Sequence, residues 1–132
     1  MSRISTISKA RDQVLEGRAK SVLAQCYAQI DRYEPDVQAW VSVDHECEEG
    51  APPPDGLGPR LLEGIPIGIK DIIDVRGTPT KAGTEVRTQI SPAQLDAPLV
   101  RNLRNQGAII LGKTVTTEFA CFDPAKTCNP WN

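Results

Sequence analysis

Gly107-Ala108-Ile109-Ile110-Leu111-Gly112-Lys113-Thr114 decides the fold, because it has two incompatible readings. Letter for letter it satisfies G-x-x-x-x-G-K-[ST], the pattern of a loop that cradles phosphate. Such a loop follows a strand and turns its backbone N–H groups inward around an anion, which needs a compact, permissive segment between the glycines. Here the four intervening residues are Ala-Ile-Ile-Leu, a strand in themselves, and a helix precedes Gly107. Asp96 is the expected N-cap of that helix, Pro98 sits in its first turn, Leu99, Val100 and Leu103 form its apolar stripe, and Gly107 closes it. Order and chemistry are both reversed, so Ala108 to Leu111 is read as a buried strand and a P-loop nucleotide binder is disfavoured.

Upstream lies a second strand. Ile65, Ile67 and Ile69 fall on one face and Pro66, Gly68 and Lys70 on the other. Turn residues follow at Arg76-Gly77-Thr78-Pro79 and around Ala82-Gly83-Thr84. Between Lys9 and Ile30, Val14, Leu15, Ala19, Val22, Leu23, Cys26, Tyr27 and Ile30 recur at helical spacing, with Gly17 breaking or bending the helical region and Glu34-Pro35 ending it. Val37, Ala39, Val41 and Val43 then alternate as a short strand with Trp40 facing the other way. Glu48 to Arg60, rich in proline and glycine, is a surface loop. Helix, strand, helix, strand in this order indicates an α/β layer protein with helices covering a largely buried sheet.

Composition narrows the function. The 132 residues are 39% apolar and 24% charged, which suits one soluble unit. Net charge is −2 and the basic residues are scattered from Arg3 to Lys126, so no stripe offers to neutralise phosphates and no nucleic acid is expected as partner. The apolar runs are too short for a membrane span and Met1 to Ile4 opens no signal peptide, so a cytoplasmic protein without a membrane partner is expected. Cys26, Cys47, Cys121 and Cys128, separated by 21, 74 and 7 positions, fit neither a zinc nor a redox pattern and are read as buried or incidental free thiols. The single His45 reads as a solvated loop residue; neither a metal nor a cofactor is expected, and any hydrolytic chemistry must find another base.

Lys70 is the candidate for that base. On residues alone, a lysine ending an Ile-rich strand beside Asp71, with Asp74 nearby, reads first as a surface ion-pair partner and only second as a catalytic group. Gly68 and Pro66 on its side of the strand favour the second, since they leave room for another backbone to come close.

Gly64-Ile65-Pro66-Ile67-Gly68-Ile69-Lys70-Asp71, followed by Asp74 to Thr84, resembles the lysine segment of the amidase signature family. Asp96 to Val100, Leu103, Gly107 through Thr114 and Glu118-Phe119-Ala120 resemble its next helix, strand and loop in the same order. Thr127-Cys128-Asn129-Pro130-Trp131-Asn132 resembles the lead-in to its glycine- and serine-rich signature. The resemblance implies the N-terminal part of an α/β/α layered fold with a mixed β-sheet covered by helices. It also implies an amidase (amidohydrolase) that cleaves linear amides through an acyl-enzyme, by a Ser-cisSer-Lys triad, with Lys70 as the lysine. A free lysine loses its proton near ~10.4, so a lysine base working near neutrality needs about 4 to 5 kcal/mol from burial and neighbours. The isoleucine strand is the expected apolar wall.

By the same resemblance, residues 1–132 are a fragment ending before both serines: 1–47 a helical region and first strand, 48–60 a Pro/Gly loop, and 61–132 a strand-rich segment with the lysine motif. Ser2, Ser5, Ser8, Ser21, Ser42 and Ser91 lack the glycine-rich turn that would replace them. The chain alone is expected to be inactive and marginally stable, with Ile65, Ile67, Ile69 and Ala108 to Leu111 undercovered. The implied partners are a small-molecule amide substrate for the full-length family member and a complementing C-terminal fragment. The alternatives are a non-catalytic fragment that binds a partner through an unpaired sheet edge, or part of the amidase-type subunit of a glutamine-dependent tRNA amidotransferase, which Thr114 to Phe119 favour less than a general amidase.

Overall fold

The computed structural model describes residues 6–47, 60–86, 89–121 and 123–131. Its elements are α1 (Ile7–Leu15), α2 (Ala19–Val37), β1 (Trp40–Val43), β2 (Pro66–Lys70), α3 (Pro98–Asn105) and β3 (Ile109–Thr114), with a single 3₁₀ turn at Glu118–Ala120. The expected loop at 48–60 falls almost wholly outside the described residues. β3 is the central strand of a three-stranded mixed sheet ordered β1-β3-β2, antiparallel to β1 and parallel to β2. Both decisive strands therefore form as expected.

Helices lie against both faces of the sheet. Ile110 joins Ile69, Val75 and Val100 of α3 in one buried cluster, whereas its neighbours Ile109 and Leu111 join Leu23 of α2, with Cys26, Tyr27, Ile30 and Trp40 packed against them. Alternation along β3 produces that division. A third cluster, Ala10, Val22 and Ile65, ties α1 and α2 to the entry of β2. Ile65, Ile69 and Ala108 to Leu111 are thus covered, contrary to expectation, each at most 4% exposed, while Ile67 is half-buried. The apolar groups left bare lie elsewhere, with Leu61 at 68%, Leu95 at 76% and Trp131 at 91%.

Four local expectations need correction. Gly17, at φ +77°, does separate two helices, but Pro35 does not end the second, which runs to Val37 and stops at Gln38 in the left-handed region. Proline removes one intrahelical N–H bond and crowds the preceding turn, and this helix bears that cost only two residues before its end. The Glu34 carboxylate accepts the N–H groups of Ala39 and Trp40 just beyond. Val37 is consequently helical, and in β1 it is Trp40 that packs inward while Val41 is exposed. Ala97, not Asp96, caps α3; Asp96 instead accepts from the Arg76 N–H at 2.8 Å and Arg104 Nε at 3.1 Å. Leu99 is 53% exposed, so the stripe of α3 reduces to Val100 and Leu103.

Candidate active site

Lys70 is the last residue of β2 and is exposed. Its partner across the parallel pair is Thr114, the last residue of β3, so it stands at the carboxyl ends of the two parallel strands. In open α/β sheets that end is where ligands bind. The Lys70 carbonyl accepts the N–H groups of Ile72 (2.8 Å) and Ile73 (3.0 Å), turning the chain sharply away. The isoleucines do not wall the amine, because they point to the opposite face. Nor does Gly68 leave a gap for a passing backbone: a Cβ there would lie 2.8 Å from the Trp40 ring and 2.8 Å from the Thr114 methyl, so those side chains occupy the space.

Asp71 does not pair with Lys70. Its side chain is fully buried, and Lys113 Nζ, itself in a side chain 1% exposed, donates to its carboxylate at 2.7 Å. Lys113 also donates to Thr80 Oγ1 at 3.2 Å, and the Lys81 N–H donates to the second carboxylate oxygen at 3.2 Å. The Asp71 N–H donates to the Thr114 carbonyl and its own carbonyl accepts from Ala82, both at 2.9 Å. This network was invisible to periodicity, because strict alternation would place Lys113 beside Ile109 and Leu111 on the α2 face. Register supplies the reason: Ile67 faces Ile110, but Gly68 faces Gly112, so one residue of β3 is bulged and Lys113 pairs with Ile69 on the α3 face. Gly112 makes the bulge possible at φ +150°, where a Cβ would sit 2.1 Å from the Ser42 carbonyl oxygen. The GKT letters thus mark a bulge with a buried ion pair, and Ile109–Thr114 is strand after helix α3, as the refusal of the phosphate-loop reading required.

Beyond the strands, the loops following β2 and β3 are joined. The Phe119 N–H donates to the Ala82 carbonyl at 2.7 Å, and Gly83 packs so closely on the Thr116 carbonyl that a Cβ would approach to 2.6 Å. The chain near its last described residues returns to α2, where Thr127 Oγ1 and the Cys128 N–H donate to the Val37 carbonyl. Ser8, Ser42 and Ser91 are exposed on α1, β1 and a loop, and none of the described serines is hydrogen-bonded to Lys70.

The four cysteines are free; Cys26 and Cys47 are half-buried, Cys121 and Cys128 exposed. Burial pushes the Cys26 thiol up. Burial also pushes the Tyr27 hydroxyl well up, aided by its 2.7 Å contact with Cys47 Sγ; it donates to the Asp44 carbonyl at 2.6 Å. His45 is exposed and its ring lies 4.9 Å from that of Tyr27. Among the described residues no helix is long and apolar enough to cross a membrane.

A mixed sheet with helices on both faces and a lysine at the carboxyl end of its parallel pair defines the class as an α/β layer protein. The family model described as Amidase matches residues 21–132, and the chain belongs to the amidase signature family. It is 37% identical to a glutamyl-tRNA(Gln) amidotransferase subunit of Nitratidesulfovibrio vulgaris, covering 100% of this chain and 30% of that protein. It is 35% identical to an amidase of Pseudomonas putida, covering 91% of this chain and 26% of the relative. The peptide amidase of Stenotrophomonas maltophilia superposes with a TM-score of 0.68 at 28% identity over 94% of this chain and 27% of its own. The chain therefore spans less than a third of the length of these relatives.

Proposed function

We propose that this chain supplies the lysine base, Lys70, of a hydrolase that cleaves carbon–nitrogen amide bonds by a Ser-cisSer-Lys mechanism, and that both serines belong to sequence beyond residues 1–132. The observation that carries this is the placement of Lys70 at the exposed carboxyl end of β2, inside the sequence block that resembles the family's lysine segment. In this role the Lys70 amine takes a proton, through the bridging serine, from the attacking hydroxyl, and returns it to the departing nitrogen. The isoleucines of β2 face away from the amine, and the described apolar group on its side of the strand is the Trp40 ring over Gly68.

Linear amides are the substrate class. Relatives named as an amidase and as an amidotransferase subunit match this chain at similar identity, 35% and 37%, and the Thr114 to Phe119 stretch supports the general amidase reading. Residues 1–132 alone hydrolyse no amide in this reading, for want of a nucleophile and oxyanion donors. The test is coexpression with a second polypeptide carrying the serine-rich signature of a relative. A soluble complex with amidase activity that disappears in Lys70→Ala supports the proposal; activity of the complex that survives Lys70→Ala sinks it. The second reading, a non-catalytic fragment that binds a partner through a sheet edge, rests on the outer edges of β1 and β2, neither of which has a strand partner among the described residues. It predicts a stable complex with no hydrolysis.

A further inference from the structure

The buried Asp71–Lys113 pair adjoins Lys70, yet the proposed chemistry makes no use of it. Such a pair is a poor source of stability, since removing two charges from water costs as much as their attraction returns. Its geometry suggests another use. Asp71 follows Lys70 directly, so a charge left uncompensated on its carboxylate would act on the Lys70 amine at short range even from the opposite face of the strand. A carboxylate beside an amine favours the protonated form, which is the wrong state for a base. In the structure that carboxylate is turned to the α3 face, where it accepts from Lys113 Nζ, the Lys81 N–H and nothing of Lys70.

We propose that Lys113 is a positioning residue for Lys70: through the Gly112 bulge it reaches Asp71, neutralises it, and withholds it from the Lys70 amine. This rests on the reading of Lys70 as the base. Three features converge on it. The bulge is what brings Lys113 to the face where Asp71 lies, and Gly112 is the residue that permits it. Thr80, from the turn after β2, takes a second Lys113 proton, so the ammonium is directed rather than merely buried. Both Asp71 backbone groups are bonded, to Thr114 and Ala82, which holds the carboxylate on that side.

The test reads the Lys70 amine itself in chain 1–132, so its failure is separable from failure of the amidase reading, which the complementation assay decides. Trace acetylation with acetic anhydride near pH 8, followed by mass spectrometry, gives the rate at Lys70 relative to exposed Lys20. Lys113→Met strands the Asp71 charge and should slow Lys70 about threefold or more; Asp71→Asn strands the Lys113 charge and should speed it by a similar factor. Asp71→Asn/Lys113→Met, which removes both charges, should return the rate to within about twofold of the original. Shifts of opposite sign with recovery in the double variant support the proposal, and one folded single variant with the expected sign suffices. Unchanged rates, or shifts of one sign in both single variants, overturn it. So does loss of folding in both single variants with the double variant folded, which would assign the pair to stability alone.

Discussion

Strand β3 is bonded on both edges, and what the two edges bury differs. Against β2 it forms a parallel pair backed by Ile69, Val75 and Val100 and finished by the Asp71–Lys113 pair. Against β1 it forms a short antiparallel ladder whose own register slips between Trp40 and Ser42, with Val41 38% exposed and Trp40 as the inward anchor. The first edge is specified by packing on a buried face and a directed ionic contact. The second is specified mainly by one aromatic ring and by the tight fit of Gly112 under the Ser42 carbonyl. Stability should therefore be far more sensitive on the β2 side, and chemistry should concentrate there.

The largest effect expected is that of Lys113→Ala. It leaves Asp71 buried and uncompensated, so thermal or urea unfolding of the chain should show a loss of about 3 to 5 kcal/mol. The same residue answers the nucleotide question: calorimetry with Mg-ATP should show no binding to the original chain, because the Lys113 ammonium is committed to Asp71 and Thr80. Micromolar binding lost in Lys113→Ala would restore the phosphate-loop reading.

Gly112→Ala comes next and attacks both edges at once. The new methyl meets the Ser42 carbonyl oxygen at a backbone angle that side chains seldom adopt, so β1 must shift away or the bulge must flatten. A cost of about 1 to 3 kcal/mol is expected, with increased amide exchange in β1 rather than β2. Protection lost first in β2 would show that the bulge, rather than the β1 contact, is the sensitive element.

How much of this was legible in the sequence follows from the same contrast. The strands Ile65 to Lys70 and Ala108 to Leu111, helix α3 and the break at Gly17 were readable because each rests on apolar spacing or a backbone exception, both of which are local. Pro35 inside α2 was misread by two residues, because the helix end is set by the left-handed Gln38 just beyond and not by the proline. Lys113 was misread most instructively. Its motif was rightly refused, yet its burial could not be read, because a one-residue bulge changes the face on which every later side chain lies. The only signal was the glycine itself, sitting inside a strand pattern where a bulge is a standing possibility. Lys70 was placed correctly at a strand end, but its supposed pairing with Asp71 was a non-local matter that spacing could not decide.

Alkaline pH tests the β1 side more gently. Cys26 and Tyr27 pack against Ile109 and Leu111, and burial raises both above their ordinary values of 9.0 and 10.0. Each stays protonated longer in the folded chain than in the unfolded one, so between those ordinary values and the raised folded values the folded state holds more protons. Stability supplied by these groups is therefore complete below about pH 9 and declines as pH rises further. Melting temperature followed from pH 8 to pH 11 should fall, and Tyr27→Phe should flatten the upper part of the decline. A melting temperature that rises over this range would contradict the assigned packing of α2 on β3.

The smallest stability effect is expected at the residue that matters most to the proposed chemistry. Lys70 is exposed, its side chain has no ion pair among the described residues, and its backbone carbonyl, which holds the turn to Ile72 and Ile73, survives truncation. Lys70→Ala should then unfold within about 0.5 kcal/mol of the original chain, as surface substitutions without buried contacts do. The same substitution should abolish hydrolysis in a complex completed by a serine-bearing partner, since the nearby Lys113 amine is held by Asp71 and Thr80 and is not free to replace it. Loss of function without loss of stability at position 70, beside loss of stability at position 113, would separate the two lysines by role. If Lys70→Ala instead cost several kcal/mol, the amine would be holding structure together, and its assignment as the free base of the site would have to be abandoned.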